Sequence, residues 1–242
     1  MSVADTTTHT PGSLPNVVLV HGAFADGSGW RAVYDRLTAR GHRVTIVQNP
    51  LTSLADDVAA TRRVLDLQEG PTILVAHSWG GTVITEAGDH PNVAGLVYVS
   101  AIAPDVGETT SQQYEGFAAT PDFVINVGED GFGFLDHDRF MTGFAHDASE
   151  ADAAFLRDSQ IPINMAAFGE KLEHAAWRTT PSWAVIPTED RAFDGAMLRH
   201  MAERIGATVT EVRASHAVFL TQSDIVAETI ERAADSVLSP RS

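Results

Sequence analysis

Cysteine is absent from the 242-residue chain, so no disulfide framework, thiolate metal site or thiol nucleophile is available. Basic residues are scarce: sixteen Lys plus Arg stand against thirty-two Asp plus Glu, a formal charge of -16. Such a surface repels phosphate backbones and anionic lipid, which argues against a nucleic-acid partner or a membrane surface. No stretch approaches the roughly 20 consecutive apolar residues needed to cross a bilayer. Met1 to Pro15 lacks the basic start and apolar run of a secretory signal, and its Thr, Ser, Pro and Gly content reads as a disordered tail over residues 1–15. A cytoplasmic protein is the expectation.

The 44% hydrophobic content suits one globular domain. Val17 to Val20 is β-branched and lacks polar alternation, as a strand covered on both faces should. Trp30, Val33, Tyr34 and Leu37 then recur at helical spacing, with Gly41 placed to end the helix. Val44 to Val47, Thr72 to Ala76 and Val93 to Val99 give further strands. Helices fall between them, one opened by a capping pair, Ser53 and Asp56, and another running from about Thr82 to Gly88. This alternation predicts an α/β fold, with a mostly parallel central sheet flanked by helices. From about Asp105 to Thr180 the rhythm is lost among scattered phenylalanines, glycines and acids, which reads as a mainly helical insertion. Alternation resumes with Trp183 to Ile186, a helix near Asp194 to Ile205, Thr208 to Val212 and a last helix from Ser223. The expected division is a core of residues 16–104 and 181–242 carrying a helical cap of residues 105–180.

In open parallel sheets, ligands bind beyond the carboxyl ends of the strands. There the third strand runs into Ala76-His77-Ser78-Trp79-Gly80-Gly81, a nucleophile elbow of the G-x-S-x-G type with Ala at the first small position. Small neighbours let strand and helix approach closely, and Ala adds only a methyl. Ser78 is the candidate nucleophile, facing the amino end of the helix that begins at Gly80. His21-Gly22-Ala23 ends the first strand, where a loop amide can join the elbow's amide in an oxyanion hole, so Ala23 and Trp79 are assigned as backbone donors. His21 itself reads as a loop organiser. Pro187-Thr188-Glu189-Asp190-Arg191 follows a strand end and makes Asp190 the candidate orienting acid, with Glu189 and Asp105 as rivals. Ser215-His216-Ala217 lies on a loop facing the elbow and supplies the candidate base, His216. The chain order Ser, acid, His differs from both major serine-protease orders.

Other residues receive plainer readings. His77 adjoins Ser78, but neighbouring side chains on a tight turn diverge, which argues against a role as base. Asp136-His137-Asp138 reads as a solvated loop rather than a metal site. The insertion's phenylalanines either line a substrate pocket or form its small core.

Together, His21-Gly22-Ala23-Phe24, the elbow at His77 to Gly81, Glu189-Asp190 and Ser215-His216 resemble the α/β-hydrolase superfamily over nearly the whole chain after the tail. More narrowly, the chain is similar to small bacterial members and to the plant branch of methyl-salicylate esterases and hydroxynitrile lyases. The lyases generally carry Thr at the position of Gly22 and Lys at that of Ala217, so the resemblance implies an esterase. It implies a triad of Ser78, Asp190 and His216, oxyanion amides on Ala23 and Trp79, and substrate contacts by Phe24 and Trp79. No metal or organic cofactor is implied. The expected substrate is a small, apolar or aromatic ester. Lactones, amides, C–C bonds and lyase substrates remain alternatives for the same triad, as does ligand binding without turnover, known among hormone-receptor relatives.

Overall fold

Why a sheet this apolar forms is visible in its first strand, β1 (Asn16–Val20), every residue of which is buried. A computed structural model describes residues 14–238, so the tail read at residues 1–15 lies outside the described residues except for Leu14 and Pro15. Around β1 lie β2 (Val44–Val47), β3 (Thr72–Ser78) and β4 (Val93–Ala101), then β8 (Ser182–Pro187) and β9 (Thr208–Val212). Their order is β2-β1-β3-β4-β8-β9, and every pairing is parallel. Parallel neighbours need long crossovers, and the helices that supply them cover both faces. Helix α1 (Arg31–Ala39) packs on α8 (Ser223–Leu238), and α2 (Leu54–Leu65) packs on α3 (Gly80–Ala87). A sixth helix, α6 (Gly195–Arg204), lies against β8. None of the helices among the described residues is long and apolar enough to cross a membrane.

β1 has β2 on one side and β3 on the other, so the winding direction reverses there. The crevice beyond the ends of β1 and β3 is therefore the switch point at which open α/β sheets hold ligands. β3 and β4 run two residues past their expected ends, to Ser78 and Ala101, and carry chemically interesting side chains to that rim.

Between β4 and β8 the chain forms helices α4 (Phe140–Phe144) and α5 (Glu150–Asp158) and three single-turn helical segments. A three-stranded antiparallel sheet lies among them, made of β5 (Ile125–Val127), β6 (Phe132–Leu135) and β7 (Ile163–Asn164). Strands of two to four residues are too short for alternation to announce them, so the sequence reading did not include this sheet.

The turn from β3 into α3 is built on glycine. A Cβ at Gly81 would stand 2.2 Å from the Ile102 carbonyl oxygen, and one at Gly80 would stand 2.8 Å from that of His21. The first turn of α3 thus presses against the chain leaving β1 and β4. Helix α2 is tied to the same turn by Asp57. This fully buried carboxylate accepts the Trp79 indole N–H at 2.8 Å and the Leu51 amide at 2.8 Å. Burial pushes its carboxyl up to about 6, although the two donors pull the other way.

Two expectations follow from this packing. Gly81→Ala should lower the urea midpoint by the equivalent of roughly 1–3 kcal/mol, whereas Gly169→Ala, with nothing within 4 Å of the added Cβ, should stay within about 0.5 kcal/mol of the parent. Because Asp57 holds its proton more tightly folded than unfolded, its ionisation costs stability. The stability of the parent relative to Asp57→Asn should therefore fall as pH rises from about 4 to about 6 and level off beyond, as chemical denaturation across pH would measure.

Candidate active site

Ser78 ends β3 with φ +53°, a left-handed conformation that costs a non-glycine residue about 1 kcal/mol or more. The side chain is thereby turned out of the strand, at the amino end of α3, where helix dipole and free amides favour developing negative charge. Space for this is made by Gly22 in the loop after β1: a Cβ there would lie 2.8 Å from the Ser78 Cβ.

His216 lies between β9 and the short helix α7 (Val218–Thr221), and its side chain is fully buried. Its Nδ1 is 2.8 Å from Oδ2 of Asp190, which sits in the turn after β8. An ionised carboxylate only accepts, so Nδ1 carries the proton, and in the neutral form of the ring Nε2 presents its lone pair. Nε2 has no hydrogen-bond partner among the described residues, so its bond to the Ser78 hydroxyl is not closed in this conformation. The two residues are nonetheless brought to one place by the sheet. Ser78 is in register with Ala101, and the hydroxyl of the preceding residue, Ser100, is 3.1 Å from His216 Nδ1.

Burial alone would push the Asp190 carboxyl up. The positive charge that His216 can carry, its N–H donor, the Ser100 hydroxyl and the Phe193 amide together outweigh burial and hold it below the usual carboxylate range. Oδ1 also accepts from the Ala192 amide at 2.7 Å, beside Phe193 at 2.9 Å. The rival acids are engaged elsewhere: Glu189 pairs with Arg213 at 2.7 Å and Asp105 with Arg178 at 2.8 Å.

The two neighbouring histidines have other partners. His21 donates from Nδ1 to the Gly22 carbonyl at 2.9 Å and accepts the Asn49 amide on Nε2 at 2.9 Å. Burial lowers its pKa, so it ties the loop together as a neutral ring. His77 donates from Nε2 to the His216 main-chain carbonyl at 3.0 Å and packs against the Phe219 ring. Burial holds it well below the usual histidine range. The sequence reading missed that it anchors the backbone of the loop bearing His216, and it missed Ser100 and Asp57 altogether. A rule for such residues is hard to write from sequence, since each acts through a contact between strands or helices distant along the chain.

Among the described residues, the Ala23 and Trp79 amides have no protein acceptor. Phe24, at φ +59°, turns its ring to Phe123 of the insertion. Phe123, Phe144 and Phe193 surround the His216 ring with centroids 6.1, 5.0 and 4.8 Å away. The Trp79 indole is turned to Asp57 and Phe168 and is only 1% exposed, so in this conformation the residue offers its amide rather than its ring. His137 pairs with Asp158 at the surface. Glu86, Glu173 and His174 are spaced as metal ligands could be, but both Glu86 carboxylate oxygens are already used by the amides of Glu173 and His174 and by the His174 ring.

Comparison with known proteins bears on this geometry. The chain is 29% identical over 255 residues to a pyrethroid hydrolase of Sphingobium wenxiniae, covering 93% of this chain and 89% of the relative. It is 26% identical over 227 residues to methylesterase 2 of Arabidopsis thaliana, covering 79% and 84%. A solved pyrethroid hydrolase structure superposes with a TM-score of 0.79 at 24% identity, over 93% of this chain and 99% of the other, a likeness of fold. Residues 17–229 match the family described as the alpha/beta hydrolase family, and the chain belongs to it.

Proposed function

We propose that this protein is a serine hydrolase of carboxylic esters that works through an acyl-enzyme on Ser78. The observation that carries the reading is the fully buried Asp190–His216 pair, whose free Nε2 lone pair belongs to a ring set beside a strained Ser78 elbow. His216 Nε2 takes the Ser78 proton as Oγ bonds to the ester carbonyl carbon. The carbonyl oxygen then becomes an oxyanion held by the Ala23 and Trp79 amides. When the C–O bond to the alcohol breaks, the imidazolium returns that proton to the leaving oxygen. Water then repeats the sequence on the acyl-enzyme and frees the acid. Asp190 fixes the ring tautomer and offsets its transient charge. The relative named methylesterase supports ester chemistry over the lactone, amide, C–C bond and lyase alternatives.

The division into a core of residues 16–104 and 181–242 and a cap of residues 105–180 accounts for the surroundings of the site. Phe123 and Phe144 come from the cap stretch, and with Phe24 and Phe193 they make an apolar approach to His216. A carboxylate or phosphate substituent would enter among these rings, against a net charge of -16. A small neutral ester with an apolar or aromatic group is the substrate class that fits.

A fluorophosphonate probe should add to wild-type protein, read by intact mass, and leave Ser78→Ala unmodified, with p-nitrophenyl ester turnover in the variant reduced about 10⁴-fold or more. A correctly folded Ser78→Ala variant with full turnover would refute the assignment. On esters of matched size, neutral aromatic substrates should be turned over at least about tenfold faster than anionic ones, and equal rates would remove the apolar-pocket reading.

A further inference from the structure

We propose that Ser100 is a positioning residue of the hydrolytic centre, its buried hydroxyl fixing the Asp190 oxygen that accepts the His216 N–H. The proposal rests on the triad reading above. Ser100 is the penultimate residue of β4, 1% exposed, with φ +43°. Glycine or asparagine would ordinarily fill such a left-handed position, and a serine kept there holds strain that its surroundings must over-determine.

The strain places a hydroxyl at the end of β4, against the turn after β8 and the loop after β9. Ser100 Oγ donates to Asp190 Oδ2 in a short contact and lies 3.1 Å from His216 Nδ1, which is itself 2.8 Å from the same Oδ2. The three atoms form a closed triangle. The hydroxyl has one proton, and the carboxylate is the stronger acceptor, so that proton goes to Oδ2 and an Oγ lone pair is left towards Nδ1–H. Oδ1 is pinned by the Ala192 and Phe193 amides, and Ser100 completes the set by defining Oδ2. One residue further along β4, Ala101 is the register partner of Ser78, and the Ile102 amide donates to the Ser78 carbonyl at 3.3 Å. A single short segment therefore ties the backbone of the nucleophile to the side chains of the acid and the base.

A buried serine that merely satisfies its own hydroxyl would leave rate and pH profile unchanged when removed. A positioning serine would not. The test compares wild type, Ser100→Gly, Ser100→Ala, Asp190→Asn and Ser100→Gly with Asp190→Asn, using fluorophosphonate labelling, urea unfolding and p-nitrophenyl ester kinetics across pH. Glycine removes the hydroxyl and also relieves the φ +43° strain, so a folding defect in the alanine variant does not block the measurement. Both variants should still label, with kcat about tenfold lower and KM within about twofold. The acid limb of kcat/KM should move to higher pH, because a carboxylate with one donor fewer holds the imidazolium more strongly. In the Asp190→Asn background the Ser100→Gly loss should vanish, since Ser100 acts through that carboxylate.

Unchanged kcat and acid limb in Ser100→Gly, or a loss that multiplies with that of Asp190→Asn, would overturn this proposal while wild-type labelling at Ser78 kept the triad. Wild-type protein left unmodified by the probe would overturn the triad reading and this proposal together.

Discussion

A carboxylate with a fully buried side chain dominates the carboxyl end of the sheet. Removing an ion such as Asp190 from water costs several kcal/mol, and the fold recovers this only through donors placed around it. They come from three parts of the chain. The turn after β8 gives the Ala192 and Phe193 amides, β4 gives the Ser100 hydroxyl, and the loop after β9 gives the His216 ring. If any of the three shifts, the charge is left underpaired in apolar surroundings. The relative placement of β4, β8 and the loop after β9 is thus set by the same bonds that orient the imidazole.

The strained residues belong to the same arrangement. Phe24, Leu51, Ser78 and Ser100 are the described non-glycine residues with positive φ, and they stand at or just beyond the carboxyl ends of β1, β2, β3 and β4. Each is held by a specific partner: Leu51 by the Asp57 carboxylate, Ser100 by Asp190, Ser78 by the approach of Gly22, and Phe24 by the Phe123 ring. Strain gathered at a sheet's switch point, and paid for by buried polar bonds, is what a preorganised site requires. The aromatic rings around His216 add to this by keeping water from the Asp190–His216 bond, which raises its electrostatic strength.

Much of this was legible along the chain because it is local. The apolar runs at Val17 to Val20 and Thr72 to Ala76 announce buried parallel strands, and the elbow at Ala76 to Gly81 is a contiguous motif whose small residues meet a steric demand within one turn. Asp190 and His216, which the structure pairs, could be singled out because each lies just after a strand end, a position readable from periodicity. The small sheet of the insertion escaped because strands of two to four residues leave no period to detect.

The amino-acid sequence by itself determined the α/β class, the strand ends that carry chemistry, the order Ser78, Asp190, His216, and a strongly acidic surface without thiol chemistry. Only the tertiary structure decided that Asp190, and not Glu189 or Asp105, meets His216, that His77 grips the His216 carbonyl, that Asp57 braces Trp79, and that Ser100 bridges Asp190 and His216. The physical reason is range. Periodicity and turn chemistry act over a few residues, whereas a buried carboxylate also draws donors by distance in space, here Trp79 to Asp57 across 22 positions of chain, and His216 and Ser100 to Asp190 across 26 and 90.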